Sequence, residues 1–347
     1  MILPTNHAIL AAATLAMASN AFGQTNITGS MPSGGITRSF IVHLPPGFGA
    51  GSPKPLVVAL HPMGTSGAQF QSTAGWDSVA DQNGIVVVYP DGALSAGSNG
   101  GFAWNTWEFT GAEPDDIAFL AALIARMQAV YGVDPCRTYM TGFSSGAMMT
   151  NSFASVHADM LAAITPVSGG WIDAYGGSEA QLRTPTTIPV WTWRGSDETF
   201  TTGDGSSAQP RNQQDQEQLA YWLAHDQATY QSTTVEQLTY AVLRIYTTKK
   251  HAGRADVWFT EVRGTGHIYQ PGAADLVWTR FFSQITSPWH GCAPCPADIT
   301  RDGTVDGGDL GTVLSAWATD DPRADLNNDG AVNGADLGML LAAWGPC

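Results

Sequence analysis

The sequence predicts an α/β protein, a mostly parallel sheet with helices on both faces, joined to a small all-α module made from a duplicated loop and helix. Three observations carry that prediction. Between residues 36 and 288 short apolar runs alternate with segments of helical periodicity, the pattern of parallel strands linked by helical crossovers. The runs at 55–61 and 84–90 are apolar throughout rather than at every second position, as strands covered on both faces must be. Residues 298–317 align without gaps to 325–344, identical at 11 of 20 positions.

Each element has its own reason. Residues 1–23 contain no Lys, Arg, Asp or Glu. The apolar run 8–18, followed by Ala21-Phe22-Gly23, predicts a secretory signal and a secreted chain. That run is shorter than the ~20 residues a bilayer span requires, so no membrane association is expected. Strands are expected at 38–44, 55–61 and 84–90. A helix follows at 115–131, with Ile117, Leu120, Leu123, Ile124, Met127 and Val130 on one face and Asp115 and Asp116 at its electropositive start. Strand 137–142, helix 145–157, strands 163–168, 189–194 and 256–262, and a helix at 273–284 complete the sheet domain. A Pro/Cys/Gly-rich boundary at 288–296 separates it from the repeat. The expected organisation is a signal peptide (1–23), an α/β domain (24–288), a linker (289–297) and an acidic module (298–347).

Charge narrows the function. Lys and Arg total 15 against 30 Asp and Glu, a net of −15, which leaves no clustered basic surface for nucleic acid. Residues 291–347 hold nine Asp against two Arg. Four cysteines, Cys136, Cys292, Cys295 and Cys347, suit an exported chain and allow three pairings. Cys292 and Cys295 form a C-x-x-C without the second pair a zinc site needs.

Gly142-Phe143-Ser144-Ser145-Gly146 lies between a predicted strand and a predicted helix. In that setting G-x-S-x-G makes a sharp turn that presents the serine hydroxyl at a helix N-terminus. A serine nucleophile needs a base, and the base needs an orienting carboxylate, in the chain order Ser, Asp or Glu, His. Strand 189–194 runs into Gly195-Ser196-Asp197, and strand 256–262 into Gly264-Thr265-Gly266-His267, so Asp197 and His267 are the expected partners of Ser144. Glu198 and Asp204 are the rival acids. An oxyanion needs two N–H donors: one expected from Ser145, the other from Met63 or Gly64 in the loop after 55–61, since Pro62 has none. In 98–110, Trp104 and Trp107 are expected to contact substrate, the alternative being that they pin the loop to the core.

Residues 38–287 resemble the secreted polyhydroxybutyrate depolymerase and feruloyl or acetylxylan esterase group of α/β-hydrolases. The resemblance lies in PLVVALHPMG, ADQNGIVVVYPDG, the Trp104-Asn105 pair, DDIAFLAALI, VDPCRTYMTGFSSGAMM, the Gly195–Asp197 turn and GTGHIYQPG. It implies an α/β-hydrolase fold, a Ser144–His267–Asp197 triad, Met63 as an oxyanion donor, and ester hydrolysis through an acyl-enzyme with no cofactor for the chemistry. The family usually has His-Gly where this chain has His61-Pro62. A non-catalytic carbohydrate-binding or scaffold-docking protein and a serine peptidase are the alternatives.

In the repeat, oxygen ligands fall at positions 1, 3, 5, 9 and 12 with glycine at 6, the spacing of an EF-hand calcium loop. The first loop offers Asp298, Thr300, Asp302, Asp306, Asp309 and the Thr304 carbonyl. The second offers Asp325, Asn327, Asp329, Asn333, Asp336 and the Ala331 carbonyl. Asp at position 12 and a single helix after each loop resemble dockerin modules, which implies two structural Ca2+ ions and a cohesin-like partner. Thr300 is a poorer ligand than Asn327, so the first site is expected to be the weaker. Cys295 and Cys347 bracket the repeat, and Cys136 starts the strand leading to Ser144, near where the last sheet-domain helix returns. That topology favours Cys136–Cys292 and Cys295–Cys347.

Overall fold

The computed structural model describes residues 25–49, 51, 53–96, 101–105, 114–170, 187–198, 221–224, 226, 229–237, 242–249, 257–287, 297–300, 304–319, 321, 324–327 and 329–346. For 229–237 and 242–249 only the backbone is described. The signal segment, Trp107, Asp204, Asp302, Cys292, Cys295 and Cys347 lie outside these residues.

In chain order the strands are β1 (Thr25–Ser33), β2 (Ile36–Leu44), β3 (Leu56–Leu60), β4 (Val86–Pro90), β5 (Leu94–Ala96), β6 (Gly101–Ala103), β7 (Thr138–Phe143), β8 (Ala163–Val167), β9 (Val190–Gly195), β10 (Thr229–Gln237), β11 (Val242–Lys249) and β12 (Val257–Arg263). The first four helices are α1 (Gly67–Ala74), α2 (Trp76–Asn83), α3 (Asp116–Tyr131) and α4 (Ser145–His157). Ten strands form one sheet in the order β1-β2-β4-β3-β7-β8-β9-β12-β11-β10. The inner six are parallel, and an antiparallel hairpin closes each edge. This is the predicted parallel α/β architecture.

The continuous apolar runs are explained by β3, all five of whose residues are buried. Leu56, Val58 and Leu60 pack into one core with Ile117, Leu120, Met149 and Phe153 of α3 and α4. Val57 and Ala59 pack into a second core on the opposite face, with Phe70, Trp76, Trp278 and Phe282. Alternate side chains of a strand point to opposite faces, so a strand with two cores must be apolar at every position. A third, separate core joins Val305, Val313, Leu326, Val332 and Leu340 in the C-terminal repeat.

Several elements go beyond the sequence expectation. β1 pairs with β2 through a turn in which Gly34 and Gly35 both have positive φ, the requirement of a two-residue hairpin. α1 and α2 share Gly75, at φ 77°, as the C-cap of one and N-cap of the next. β5 and β6 form a short hairpin beside the oxyanion loop, tied to it by a bridge between Thr65 and Phe102.

Candidate active site

Parallel strands deliver their C-terminal ends to one edge of the sheet, where crevices for ligands form. β7 ends at Phe143, Ser144 follows, and α4 begins at Ser145. Ser144 has φ 54° and ψ −116°, a positive φ that a serine keeps only when its surroundings impose it. Both motif glycines are required by close approach. A Cβ on Gly142 would lie 2.3 Å from the Gly146 carbonyl oxygen, and one on Gly146 would lie 2.2 Å from that of Leu60. The Ser144 N–H is anchored to the Val167 carbonyl on β8 at 3.0 Å.

His267 follows β12 through the turn at Gly264, whose φ is 74°. This turn is laced to the one after β9: the Ser196 N–H donates to the Val262 carbonyl, the Asp197 N–H to the Thr265 carbonyl, and the Gly264 N–H to Ser196 Oγ. The imidazole packs against the Phe143 ring at 4.9 Å between centroids, beside the nucleophile turn, with its side chain 40% exposed.

The acid facing it is Glu198, not Asp197. Glu198 Oε2 lies 3.3 Å from His267 Nδ1, and the glutamate side chain is 2% exposed. Asp197 is on the outside of the same turn, exposed, accepting a hydrogen bond from Ser196 Oγ at 2.6 Å. Its backbone N–H, not its carboxylate, reaches the His267 loop, so the next residue is the one that points inward. Burial opposes ionisation of Glu198. It is outweighed by hydrogen bonds from His267, Ser168 and the Gly195 N–H and by the Arg194 charge, and the carboxyl is held below its ordinary value.

The loop after β3, expected to carry an oxyanion donor, is organised from below by His61, which is fully buried. Its Nδ1–H donates to the Pro62 carbonyl at 2.8 Å, and its Nε2 accepts from the Gly92 N–H at 3.0 Å. That pair of partners fits a neutral ring. Burial, aided by Arg38, pushes its pKa down against the Pro62 carbonyl and Asp91. Thr65 Oγ1 gives the Pro62 carbonyl a second donor at 2.9 Å. In a trans peptide the C=O and the following N–H point in opposite directions, so pinning the Pro62 carbonyl aims the Met63 N–H the other way. Gly64 drops out as a donor, because its N–H is committed to the Phe102 carbonyl at 2.8 Å. The Met63 N–H has no hydrogen-bond partner among the described residues. Ser145 occupies the first turn of α4, where backbone N–H groups lack helical partners.

Trp104, expected at the substrate, lies in the interior instead. It is wholly buried, its ring centre lies 5.0 Å from that of His61 with the planes tilted by 35°, and its indole N–H donates to the His61 carbonyl at 2.9 Å. It pins its own segment to the core, the alternative weighed from sequence, and lies under the loop that follows β3. The neighbouring Asn105 N–H donates to Asp116, which forms a buried ion pair with Arg38. The Arg38 guanidinium lies 3.9 Å from the centre of the Phe119 ring. Trp193 is likewise buried in the core. Sequence reasoning missed Ser168, His61 and Thr65 as parts of this site; the positive φ of Ser168 is not legible from its residue type.

In the C-terminal repeat, each loop leads into one helix, Gly307–Ser315 and Gly334–Ala342. Loop positions 9 and 12 act as capping boxes: Asp306 with Asp309, and Asn333 with Asp336. Asp336 accepts from the backbone of Leu326, Asn327 and Asn333, and Asp325 from Asp329 and Gly330. Such bonds hold Asp309 and Asp336 below the ordinary carboxylate range, against burial. Gly330, sixth in the second loop, has φ 90°. Among the described residues no three His, Cys, Asp or Glu side chains are gathered as a metal cage. Cys136 is disulfide-bonded. No helix among the described residues is long and apolar enough to cross a membrane.

The mostly parallel sheet with its helices has the α/β-hydrolase fold. Comparison supports this: an acetyl xylan esterase from Aspergillus awamori superposes with a TM-score of 0.55 at 20% identity, over 75% of this chain and 99% of its own. Residues 38–181 match the family model described as Esterase PHB depolymerase, which takes in His61 and Ser144 and ends before Glu198 and His267. A bifunctional acetylxylan esterase/xylanase of Neocallimastix patriciarum is 34% identical over 151 residues, 44% of this chain and 20% of that protein. Poly(3-hydroxyalkanoate) depolymerase C of Paucimonas lemoignei is 33% identical over 135 residues, 37% and 30% of the two chains. The chain thus spans a third or less of the length of these two relatives.

Proposed function

We propose that this protein is a serine carboxylic-ester hydrolase whose triad is Ser144, His267 and Glu198. The observation that carries the proposal is the strained turn of Ser144 between β7 and α4, with a histidine–carboxylate pair at the ends of the two strands that follow in the expected order. Ser144 Oγ attacks the ester carbonyl carbon while His267 Nε2 takes its proton, and Glu198 holds the Nδ1–H and balances the imidazolium. The tetrahedral oxyanion is received by the Met63 and Ser145 N–H groups. Collapse expels the alcohol, which takes the proton from His267 and leaves an acyl-Ser144. Water, deprotonated by His267, then releases the carboxylic acid. Substrates are proposed to be acetyl or feruloyl esters of plant polysaccharide or a hydroxyalkanoate polyester, from the names of the relatives and the resemblance.

The test is hydrolysis of acetylated xylan, methyl ferulate and a hydroxybutyrate oligomer by the full chain, with Ser144→Ala beside it. Turnover abolished by the variant supports the proposal; turnover untouched by it removes Ser144 from the chemistry. Matching amides separate an esterase from a peptidase.

The C-terminal repeat is proposed to bind Ca2+ and to serve as a docking module for a cohesin-like protein, on a secreted chain. Its donors are all hard oxygens, and the sixth residue of the second loop, Gly330, turns through positive φ, which suits calcium. Asp325, Asn327, Asp329, Asn333, Asp336 and the Ala331 carbonyl would hold one ion, and the counterpart loop a second. The pairing Cys136–Cys292 is supported by the Ser287 N–H, which donates to the Cys136 carbonyl at 2.8 Å and brings the chain back to the turn that precedes β7, five residues before Cys292. Peptide mapping tests it.

A further inference from the structure

We propose that Ser168 is the positioning residue of the catalytic acid: its hydroxyl clamps one oxygen of Glu198 so that the other faces His267. The inference rests on the triad proposed above. Ser168 directly follows β8 and is fully buried, with φ 54°. Its Oγ donates to Glu198 Oε1 at 2.5 Å, and the Gly195 N–H donates to the same oxygen at 2.9 Å. Two donors on Oε1 fix the rotation of the carboxylate and leave Oε2 to His267 Nδ1 at 3.3 Å, with Arg194 Nε 3.9 Å away. A carboxylate held by one donor alone can turn about its last torsion; two convergent donors remove that freedom.

The backbone argues for the same role. Positive φ favours glycine, and glycine would fit here without strain. Serine supplies the one thing glycine lacks, a hydroxyl, and that hydroxyl is spent on Glu198. The adjoining residues hold the nucleophile: the Val167 carbonyl accepts the Ser144 N–H, and a Cβ on Gly169 would lie 2.3 Å from the Ser144 carbonyl oxygen. The end of β8 therefore sets the nucleophile's backbone and the acid's carboxylate from consecutive residues, although 54 positions separate Ser144 from Glu198 in the chain.

The test compares Ser168→Ala, Ser168→Gly and Glu198→Gln in the full chain, with p-nitrophenyl acetate as the probe. If the hydroxyl positions Glu198, both Ser168 variants lose roughly ten- to hundredfold in kcat/KM, the scale of a hydrogen bond to a charged group. Both also move the acidic limb of the pH–rate profile upward, since Arg194, His267 and Gly195 alone are left to hold Glu198 ionised. Ser168→Gly keeps or raises the melting temperature because it relieves the positive φ. A structural role alone would instead appear as lost stability in Ser168→Ala with an unmoved pH limb, and that result overturns the inference. So does wild-type kcat/KM in both Ser168 variants while Glu198→Gln is impaired. Wild-type activity in Glu198→Gln would instead remove the acid on which the inference rests.

Discussion

Glu198 Oε2 and His267 Nδ1 stand 3.3 Å apart at the ends of β9 and β12, adjacent parallel strands paired with Gly195 opposite Val262. The pair is thus carried on the rigid part of the sheet. Glu198→Gln is expected to lower kcat by about 10²–10⁴-fold, the range for losing an orienting carboxylate or general-base function. Asp197→Asn, an exposed change, should leave activity within about twofold. Steady-state kinetics of the two variants separates the adjacent acids; the reverse order would restore Asp197.

Two pH windows follow from the site. His61 has a folded pKa below its ordinary 6.5, so the unfolded chain binds the extra proton first. Its contribution to stability is full above 6.5 and falls as the pH drops from there toward the folded value. Glu198, held below 4.5, gives a second loss that begins beneath 4.5. Urea unfolding across pH should show both steps, with His61→Asn erasing the upper and Glu198→Gln the lower.

Trp104 should behave as a structural post. Trp104→Phe leaves the buried His61 carbonyl without its donor and is expected to cost about 1–3 kcal/mol of stability. Trp104→Ala also opens a cavity, for about 3–5 kcal/mol. Both are read by denaturant midpoints. A rise in KM with unchanged stability would return Trp104 to the substrate site.

Thr65→Val deletes one of the two donors on the Pro62 carbonyl while nearly keeping volume. With the Met63 N–H aimed less firmly, kcat should fall about tenfold or less, below the 10²–10³ of losing an oxyanion donor outright, at unchanged KM. A change confined to KM would argue that the loop binds substrate rather than the oxyanion.

Calcium at a hundredfold excess over its dissociation constant should stabilise the repeat by about 2.7 kcal/mol. Chelation should reverse it, and Asp336→Asn should weaken it. Fluorescence of the exposed Trp317 and Trp344 reports the melt of this unit. An unfolding curve indifferent to calcium and chelator would leave the loops as capped helix starts without a cation.

Legibility in the sequence tracked where the determining forces lie. Strands β3 and β4 were readable because burial on both faces demands apolar residues throughout, and β7, β8 and β9 because mainly apolar stretches end at glycine- or serine-containing turns. β1 was not: only Ile27 and Met31 of its residues touch the core, and it is held by backbone pairing to β2. Gly34-Gly35 was its one local signal. α1 and α2 are short and polar, anchored by Phe70 and Trp76. Ser144 was readable because its neighbours in sequence dictate its turn. The carboxylate that faces His267 lies one residue beyond the expected Asp197 because the inward direction after Gly195 is set by Ser168 and Thr265, remote in sequence. The burial of Trp104 was not legible because an aromatic on a loop looks alike whether it faces a ligand or a carbonyl.

The two-cored strand β3 also makes reading frame a structural quantity. Deleting a single residue between Leu56 and Leu60 would exchange the occupants of both cores at once, an error no local repacking absorbs. At Gly34-Gly35, by contrast, the chain turns at the exposed end of an edge hairpin, where added length displaces nothing. Length variation among natural or engineered versions of this chain should therefore collect at that turn and be absent from the stretch that leads to His61.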